Sequence, residues 1–252
     1  MKRLRGFVLL GALLGSVTNG CKPDVAEQHR EKANEFANQS QWRQAAEEYG
    51  LSLQADPKQG ELWEQKAYAH LQVKEFDQVE AAMIKLADFR TEPAKKAAVY
   101  RNIGGMWVQQ GMSDKAEPFF LKAAQIDPKD EQTLGWLAEI YAQRGGARSN
   151  SVQAKPEALD KALEYLDKVV ALKPAESAGF VNKRIALMKY MEYQQLQKAD
   201  AEKEAAQEKD PAKQSQLKTK AEQAQAQLDK LKKQFDEVNQ KIGEIAKAGQ
   251  GK

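Results

Sequence analysis

Few residues of this 252-residue chain have side chains suited to chemistry, and they lie far apart. The chain has one cysteine, Cys21, and two histidines, His29 and His70. A zinc site needs several Cys and His ligands at short, fixed spacings, which this set does not provide. Acidic pairs such as Glu47-Glu48 are typical of solvated helix surfaces, and neither a nucleophile elbow nor a phosphate-cradling glycine loop is present. We therefore predict no catalytic residue, no metal, no cofactor and no small-molecule substrate.

The segment before Cys21 has the form of an export signal. Three basic residues precede an apolar run over 6–17, which is shorter than the roughly 20 residues that cross a bilayer. A cysteine after such a run and a small residue resembles the lipobox of bacterial lipoproteins, although Thr18 stands where that motif prefers leucine. The resemblance implies a signal peptide over 1–20 and lipidation of Cys21. Ordinary signal cleavage with a leftover thiol, or an uncleaved anchor, are the alternatives.

The charge balance argues against nucleic acid as a partner. The full chain has 39 basic and 36 acidic residues. The surplus consists of Lys2, Arg3 and Arg5 of the predicted signal peptide, so the remainder is neutral, whereas a nucleic-acid binder needs a basic excess. A single cysteine fits an exported protein without disulfides. A composition rich in alanine, glutamine, lysine, glutamate and leucine is typical of an all-α protein.

A repeat of about 34 residues organises the first two thirds of the chain. In residues 97–130, large side chains occupy repeat positions 4, 11 and 24, small ones occupy 8 and 20, and proline occupies 32. The matching residues are Tyr100, Ile103, Gly104, Trp107, Ala116, Phe120, Ala123 and Pro128. This pattern resembles the tetratricopeptide (TPR) repeat. The resemblance implies that each copy is a pair of antiparallel helices, with the small residues where the two helices touch.

Three further copies complete a predicted array of four TPR repeats over 26–176. Copies at 26–59 and 60–93 precede the clearest one, and a fourth at 131–176 follows it. Three additional residues, 94–96, separate the second copy from the third. The fourth copy contains an insertion near 145–156, rich in glycine and serine, which we predict to be a loop between its helices.

After the fourth repeat the pattern becomes that of two long helices, 178–208 and 212–246, separated at Pro211. Apolar residues of the second helix alternate at spacings of four and three, which indicates a heptad seam. The seam residues are Leu217, Ala221, Ala224, Leu228, Leu231, Phe235, Val238, Ile242 and Ile245. Bulky residues begin the first helix and end the second, so a fold at Pro211 pairs them, which favours an antiparallel hairpin over a parallel dimer. We predict an all-α protein in which a TPR helical-hairpin solenoid precedes an antiparallel coiled-coil hairpin over 177–247, with a disordered tail over 248–252.

The TPR resemblance also implies a concave groove, lined by repeat positions 2, 5, 9, 12 and 13. The candidate partner-binding residues on this face are Arg30, Asn34, Tyr68, Leu71, Arg101, Val108, Gln109 and Glu139. Such a mixed surface suits an extended peptide or a helix, and a solvated surface without a ligand is the alternative. Arg30 and Asn34 match the start of the carboxylate clamp of chaperone-adaptor TPR domains. The later clamp positions hold Gln65, Ala98 and Asn102, so we predict no carboxylate capture.

Together these features predict a non-catalytic, lipid-anchored TPR scaffold that mediates protein–protein interactions in a bacterial cell envelope. Lys22, in place of aspartate, favours an outer-membrane lipoprotein facing the periplasm under the sorting rule of enteric bacteria. The predicted partners are other envelope proteins, held by the groove and by the coiled-coil arm, and the membrane, reached through the lipid. Pilus–secretin or outer-membrane-protein assembly is the predicted role. An assembly or regulatory factor for exopolysaccharide export, and a structural spacer without a groove ligand, are the alternatives.

Overall fold

A computed structural model describes residues 24–147 and 154–250. The predicted signal peptide and Cys21 lie outside the described residues, as do residues 148–153 of the insertion in the fourth repeat. Within these two ranges the chain forms helices and no strand. The helices are α1 Val25–Asn38, α2 Trp42–Ala55, α3 Leu62–Gln72, α4 Phe76–Phe89, α5 Pro93–Gln109, α6 Ser113–Ile126, α7 Glu131–Arg144, α8 Pro156–Leu172, α9 Ser177–Gln207 and α10 Pro211–Gln250.

Helices α1 to α8 form four successive helical hairpins, and each hairpin packs on the next. The turn inside a hairpin has the same backbone form in the first three repeats. Ser40, Lys74 and Gly111 all adopt positive φ angles, of 59°, 59° and 73°. These residues share repeat position 15. Ser40 and Lys74 are one 34-residue period apart, and Lys74 and Gly111 are separated by that period plus three residues. The three additional residues, 94–96, lie in the first turn of α5, so they lengthen a helix instead of separating two repeats.

Aspartate–proline–lysine sequences end the second helix in the first and third repeats. The Asp56 carboxylate accepts from the Lys58 backbone N–H at 3.0 Å, and Asp127 accepts from the Lys129 N–H at 3.1 Å. The proline between each pair has no N–H and cannot continue the helix. These turns direct the chain into the next hairpin and so set the stacking of the solenoid.

The largest apolar core lies around α5 and α6, the hairpin with the clearest repeat pattern. Tyr100, Trp107 and Phe120 are buried there. A Cβ atom placed on Gly104 would lie 2.9 Å from the Phe120 ring, so the two helices approach closely because residue 104 has no side chain. A second cluster joins α1, α2 and α3, and Trp63 packs against both clusters. The solenoid core is therefore continuous from one repeat to the next.

The first half of α9 belongs to the solenoid as well as to the final hairpin. Leu159 of α8, Leu187 and Tyr190 of α9, and Leu231 and Val238 of α10 share one buried cluster. The sequence pattern assigned α9 to a separate coiled coil and did not predict this packing on α8. The final hairpin is therefore fixed to the last repeat through a shared apolar core.

Beyond this base, α9 and α10 contact each other as an antiparallel hairpin. Near the turn, the Gln214 side-chain amide donates to the Ala205 carbonyl oxygen at 3.2 Å. Helix α10 continues to Gln250 and so includes residues 248–250, which the sequence pattern assigned to the tail. The buried residues of this outer part are small: Ala201, Ala205, Ala221 and Ala224.

Candidate partner-binding groove

Two adjoining cavities open on the face formed by α1, α3 and α5. The first, which we call the aromatic cavity, lies between the first two repeats and has a volume of about 500 Å³. Its lining residues are Ala37, Asn38, Trp42, Tyr49, Glu61, Glu64, Gln65, Tyr68 and Ala69. Helices α1, α2 and α3 all contribute, so the stacking of the two hairpins determines its shape.

The aromatic cavity contains an exposed ring held in place by a second ring. Tyr68 is 54% exposed, and its ring lies 5.6 Å from that of Trp42 at an interplanar angle of 83°. Edge-to-face geometry of this kind is favourable for aromatic pairs. The Tyr49 hydroxyl donates to the Asn34 side-chain oxygen at 2.8 Å, which ties α2 to α1 beneath the cavity. Trp42 begins α2 and lies outside the repeat positions assigned to the groove, so the sequence pattern did not indicate it.

The second cavity, which we call the apolar cavity, lies between the second and third repeats and has a volume of about 450 Å³. Its apolar lining residues are Ala67, Leu71, Val79, Met83, Leu86, Ala98 and Val99. Glu64, Tyr68, Arg90, Lys95 and Asn102 also line it. Because Glu64 and Tyr68 line both cavities, the two form one groove with Tyr68 at their boundary.

The charges at this boundary come from one arginine and two carboxylates. Arg90, which follows α4, donates to Glu61 at 3.2 Å and to Glu64 at 3.0 Å. Both glutamate side chains remain mostly exposed to solvent. One guanidinium is therefore shared between two carboxylates, and the local charge of this trio is negative.

Both arginines predicted to line the groove form ion pairs with carboxylates of this chain. Arg30 donates to Glu27 at 2.6 Å on the surface of α1 and lines a separate depression beside Gln65. Arg101 of α5 forms an ion pair with Asp130, the residue before α7. Asp130 also accepts from the Thr133 hydroxyl at 2.6 Å, so this contact links two repeats.

The remaining predicted residues divide between the cavities and the later repeats. Tyr68 and Leu71 line the cavities, and Asn34 bonds to a residue that does. Val108 packs against the central core, and Gln109 is exposed at the end of α5. Glu139 accepts from the Gln143 side chain at 2.9 Å within α7. The last three do not line either cavity, so the structure does not bring all eight candidates together.

The two histidines lie at helix contacts. His29 Nδ1 is 2.6 Å from Glu48 Oε2, and Lys32 together with His29 lowers the pKa of that carboxyl. His70 is mostly buried, and its Nδ1 is 2.8 Å from Glu75 Oε2. Hydrogen bonds from His70 and Arg43 lower the pKa of Glu75. In the portion of the chain that the structure describes, no group of three or more His, Cys, Asp or Glu residues could hold a metal ion.

This arrangement of hairpins defines the class of protein as a TPR-type helical solenoid. The crystal structure of a TPR repeats protein from Bacteroides fragilis superposes with a TM-score of 0.55. The superposition covers 89% of this chain and 99% of that chain at 13% sequence identity. The TPR helical-hairpin fold predicted from the sequence is thus confirmed. No protein-family model matches the chain.

Similarity to characterised sequences is confined to short segments. Over 83 residues the chain is 37% identical to cellulose synthase operon protein C of Escherichia coli K12, which is 33% of this chain and 7% of that protein. Over 104 residues it is 28% identical to the general transcriptional corepressor ssn6 of Schizosaccharomyces pombe, or 41% of this chain and 9% of that protein. The chain therefore spans less than a tenth of the curated relatives it matches. None of the described helices has both the length and the apolar character needed to cross a membrane.

Proposed function

We propose that the protein is a non-catalytic, lipid-anchored TPR scaffold of a bacterial cell envelope, and that its groove holds a segment of a partner protein. The observation that carries the proposal is the pair of adjoining cavities. Tyr68 and Leu71 are 54% and 42% exposed there, beside a cavity wall made of aliphatic side chains. Large side chains exposed together in a concave site are typical of a binding surface.

The rigidity of the groove favours an extended or helical peptide segment as its ligand. Most lining side chains stand on helices whose positions are set by the hairpins on either side. A partner segment laid along this face would place successive side chains in the two cavities, and the helices would need little rearrangement.

The location of the groove follows from the predicted lipid. Residues 22–24 separate Cys21 from α1, and three residues reach at most about 11 Å. An acylated Cys21 would therefore hold the first repeat, and with it the aromatic cavity, close to the membrane. The predicted cellular location of the protein is the periplasmic face of the outer membrane.

The final hairpin supplies a second surface at a distance from the first. Helix α9 has 31 residues and α10 has 40, which correspond to lengths of about 46 and 60 Å. A scaffold that holds one partner in its groove and another along this hairpin would bring the two together. Assembly of a pilus secretin or of outer-membrane proteins is the role that we propose for this arrangement.

A second candidate is an assembly or regulatory factor for exopolysaccharide export. The 83-residue similarity to cellulose synthase operon protein C favours it, although the match covers a small part of that protein. Neighbouring genes separate the two candidates: a secretin or barrel-assembly gene supports the first, and a polysaccharide synthase or exporter supports the second.

In-cell photo-crosslinking tests the groove. A photoreactive phenylalanine replaces Tyr68 or Leu71, and a matched control replaces Leu121, which is 39% exposed on α6 and lines neither cavity. We expect discrete crosslinked species from the groove positions and none of these from the control. Identical products from all three positions would contradict a groove ligand and favour the spacer alternative.

Lipid labelling tests the anchor separately. The wild type should incorporate labelled palmitate and sediment with membranes, and Cys21→Ser should lose both properties. A wild-type protein without label would contradict lipidation while leaving the groove proposal intact.

A further inference from the structure

We infer that the aromatic cavity selects a cationic side chain, lysine or arginine, on the partner segment, and that the apolar cavity receives an aliphatic side chain close to it in sequence. This inference rests on the proposed function and adds the chemistry of the ligand.

The rings of the aromatic cavity offer what a cation binds. The negative face of tyrosine or tryptophan attracts an ammonium or guanidinium group that lies within about 6 Å of the ring centre. This chain uses the contact elsewhere, with Lys115 3.7 Å from the Trp107 ring centre and Lys122 4.3 Å from that of Tyr100. Among the cation–ring contacts of the described residues, none falls on Trp42 or Tyr68. The ring of Tyr68, which is 54% exposed, is therefore open to a ligand, and Trp42 lies partly buried behind it.

The charged groups of the lining have the complementary sign. The two charged residues that line the aromatic cavity are Glu61 and Glu64, with side chains that are 87% and 66% exposed. Arg90 neutralises one of these two charges, because its single guanidinium bonds to both carboxylates. A cation in the cavity would neutralise the other charge, whereas an anion would lie beside two carboxylates.

Basic residues near the aromatic cavity do not cancel its negative charge. Arg30 and Lys58 line the adjacent depression, which also includes Glu61. Arg30 is paired with Glu27, so it brings its own counter-charge. Lys58 adjoins Asp56, whose carboxylate accepts from the Lys58 backbone N–H. Lys95, which lines the adjoining apolar cavity, is paired with Glu92 at 2.7 Å. Each of these cations has a carboxylate nearby, so the surroundings add little net positive charge to the cavity.

The size and shape of the groove suit a long side chain followed by an aliphatic one. Ala37 and Ala69 give the aromatic cavity small apolar walls, against which the methylene stem of lysine or arginine can pack while its charged end reaches the carboxylates. Tyr68 also borders the apolar cavity, where Leu71, Met83 and Leu86 offer an aliphatic surface. A peptide that crosses Tyr68 would place a cationic and an aliphatic residue on its two sides.

Selection from a random peptide library tests this inference. Phage-displayed 12-residue peptides are panned against the detergent-solubilised protein, and those that also bind the Tyr68→Ala variant are removed. We expect the remaining peptides to share a lysine or arginine near an aliphatic residue. Tyr68-dependent peptides without a cation, or with aspartate or glutamate at the shared position, would overturn the inference while supporting the proposed groove. A selection without any Tyr68-dependent peptide would overturn both.

An affinity comparison then isolates the charge. The best lysine peptide is compared with an analogue containing norleucine, which keeps the stem and lacks the ammonium group. We expect the analogue to bind roughly 5- to 30-fold more weakly, as for a partly desolvated cation–ring contact.

The double variant Glu61→Gln, Glu64→Gln should weaken binding of the lysine peptide and leave binding of the norleucine peptide unchanged. The control variant Glu164→Gln, an exposed carboxylate paired with Lys168 on α8 and absent from the lining of both cavities, should change neither. Equal binding of the two peptides to the wild type would overturn the inference.

Discussion

The TPR solenoid and the final hairpin are both built from antiparallel helices, but different kinds of side chain hold them together. The solenoid core contains fully buried aromatic residues such as Tyr100 and Phe120. In the hairpin, large buried residues such as Leu231 occur at the base, and the outer part buries alanines such as Ala201 and Ala221. Because burial stabilises roughly in proportion to apolar area, the outer hairpin gains little from each contact. Stability should therefore decrease from the solenoid to the tip.

Polar contacts also hold neighbouring helices together more in the solenoid than in the outer hairpin. In the solenoid several of them connect different helices: the Trp107 indole N–H donates to Glu80 at 2.6 Å, and Arg144 donates to Glu117 at 2.6 Å. In the outer hairpin, Gln214 donates to the Ala205 carbonyl oxygen across the turn, whereas Gln225 donates to Asp229 within one helix at 2.8 Å. Pairs four residues apart on one helix contribute only about 0.2–0.5 kcal/mol and do not position a neighbouring helix. The solenoid therefore has a fixed relative arrangement of helices, as a preformed groove requires.

The largest expected effect comes from removing an aromatic residue of the solenoid core. Phe120→Ala leaves a cavity at a fully buried site against Gly104 and should lower the free energy of unfolding by about 3–5 kcal/mol. The neighbouring change Leu121→Ala, at a residue that is 39% exposed, should lower it by roughly 0.5 kcal/mol. Urea titration followed by circular dichroism measures both. Similar losses for the two variants would contradict the assigned core.

The fold could be predicted from the sequence where one period governs both the residue pattern and the packing. Small and large residues at fixed positions of the 34-residue repeat gave the helical hairpins, and the recurring turns at Ser40, Lys74 and Gly111 follow that period. The packing of α9 on α8 was missed because the apolar residues at this junction, such as Ala186 and Leu187, belong to no repeat. A helix that faces two neighbours lacks the single apolar stripe that sequence analysis detects.

The candidate site could be predicted only in part. Tyr68 and Leu71 were found because the repeat position determines which face a residue occupies. Trp42 was missed because it lies at the start of a second helix, and its contact with Tyr68 depends on how two hairpins stack. The ion pair of Arg101 with Asp130 joins residues 29 positions apart, and one sequence does not reveal such a partner.

A second prediction concerns the base and the tip of the hairpin. Leu231→Glu places a charge in the apolar cluster that joins α8, α9 and α10, and it should lower the free energy of unfolding by about 2–4 kcal/mol. Ala206→Glu, at an exposed position near the turn, should change it by no more than about 0.5 kcal/mol. Amide hydrogen exchange should show slower exchange at the base than at the tip of the wild type. Equal sensitivity at the two positions would contradict the decrease in stability along the hairpin.

A third prediction compares two adjacent glycines of α5. Gly104→Ala brings a methyl group to about 2.9 Å from the buried Phe120 ring and should destabilise the protein by about 1–3 kcal/mol. Gly105→Ala meets no atom within 4 Å, and alanine favours a helix over glycine, so this variant should be more stable by about 0.5–1 kcal/mol. Thermal and urea unfolding measure the two shifts. Shifts of the same sign would contradict the close helix contact.

The smallest expected effect tests the polar contacts between solenoid helices. Glu117 of α6 accepts from Arg144 at 2.6 Å and from the Tyr141 hydroxyl, both on α7. The hydrogen bond from Arg144 lowers the pKa of Glu117 below its ordinary value of 4.5, and burial together with Glu117 raises the pKa of Tyr141 to about 12. A carboxylate with a lowered pKa in the folded state stabilises the protein fully above its unfolded-state pKa, and this contribution is lost as the pH falls through the folded-state value.

Glu117→Gln should therefore lower the free energy of unfolding by about 1 kcal/mol near pH 7, and the difference from the wild type should shrink below about pH 4.5. The exposed pair of Glu164 with Lys168 provides the control, since Glu164→Gln should have almost no effect at either pH. Because Glu48 and Glu75 also have lowered pKa values, the Glu117→Gln variant should keep part of the acid sensitivity of the wild type. A difference between variant and wild type that stayed constant down to pH 3.5 would show that Glu117 acts through packing and not through its charge.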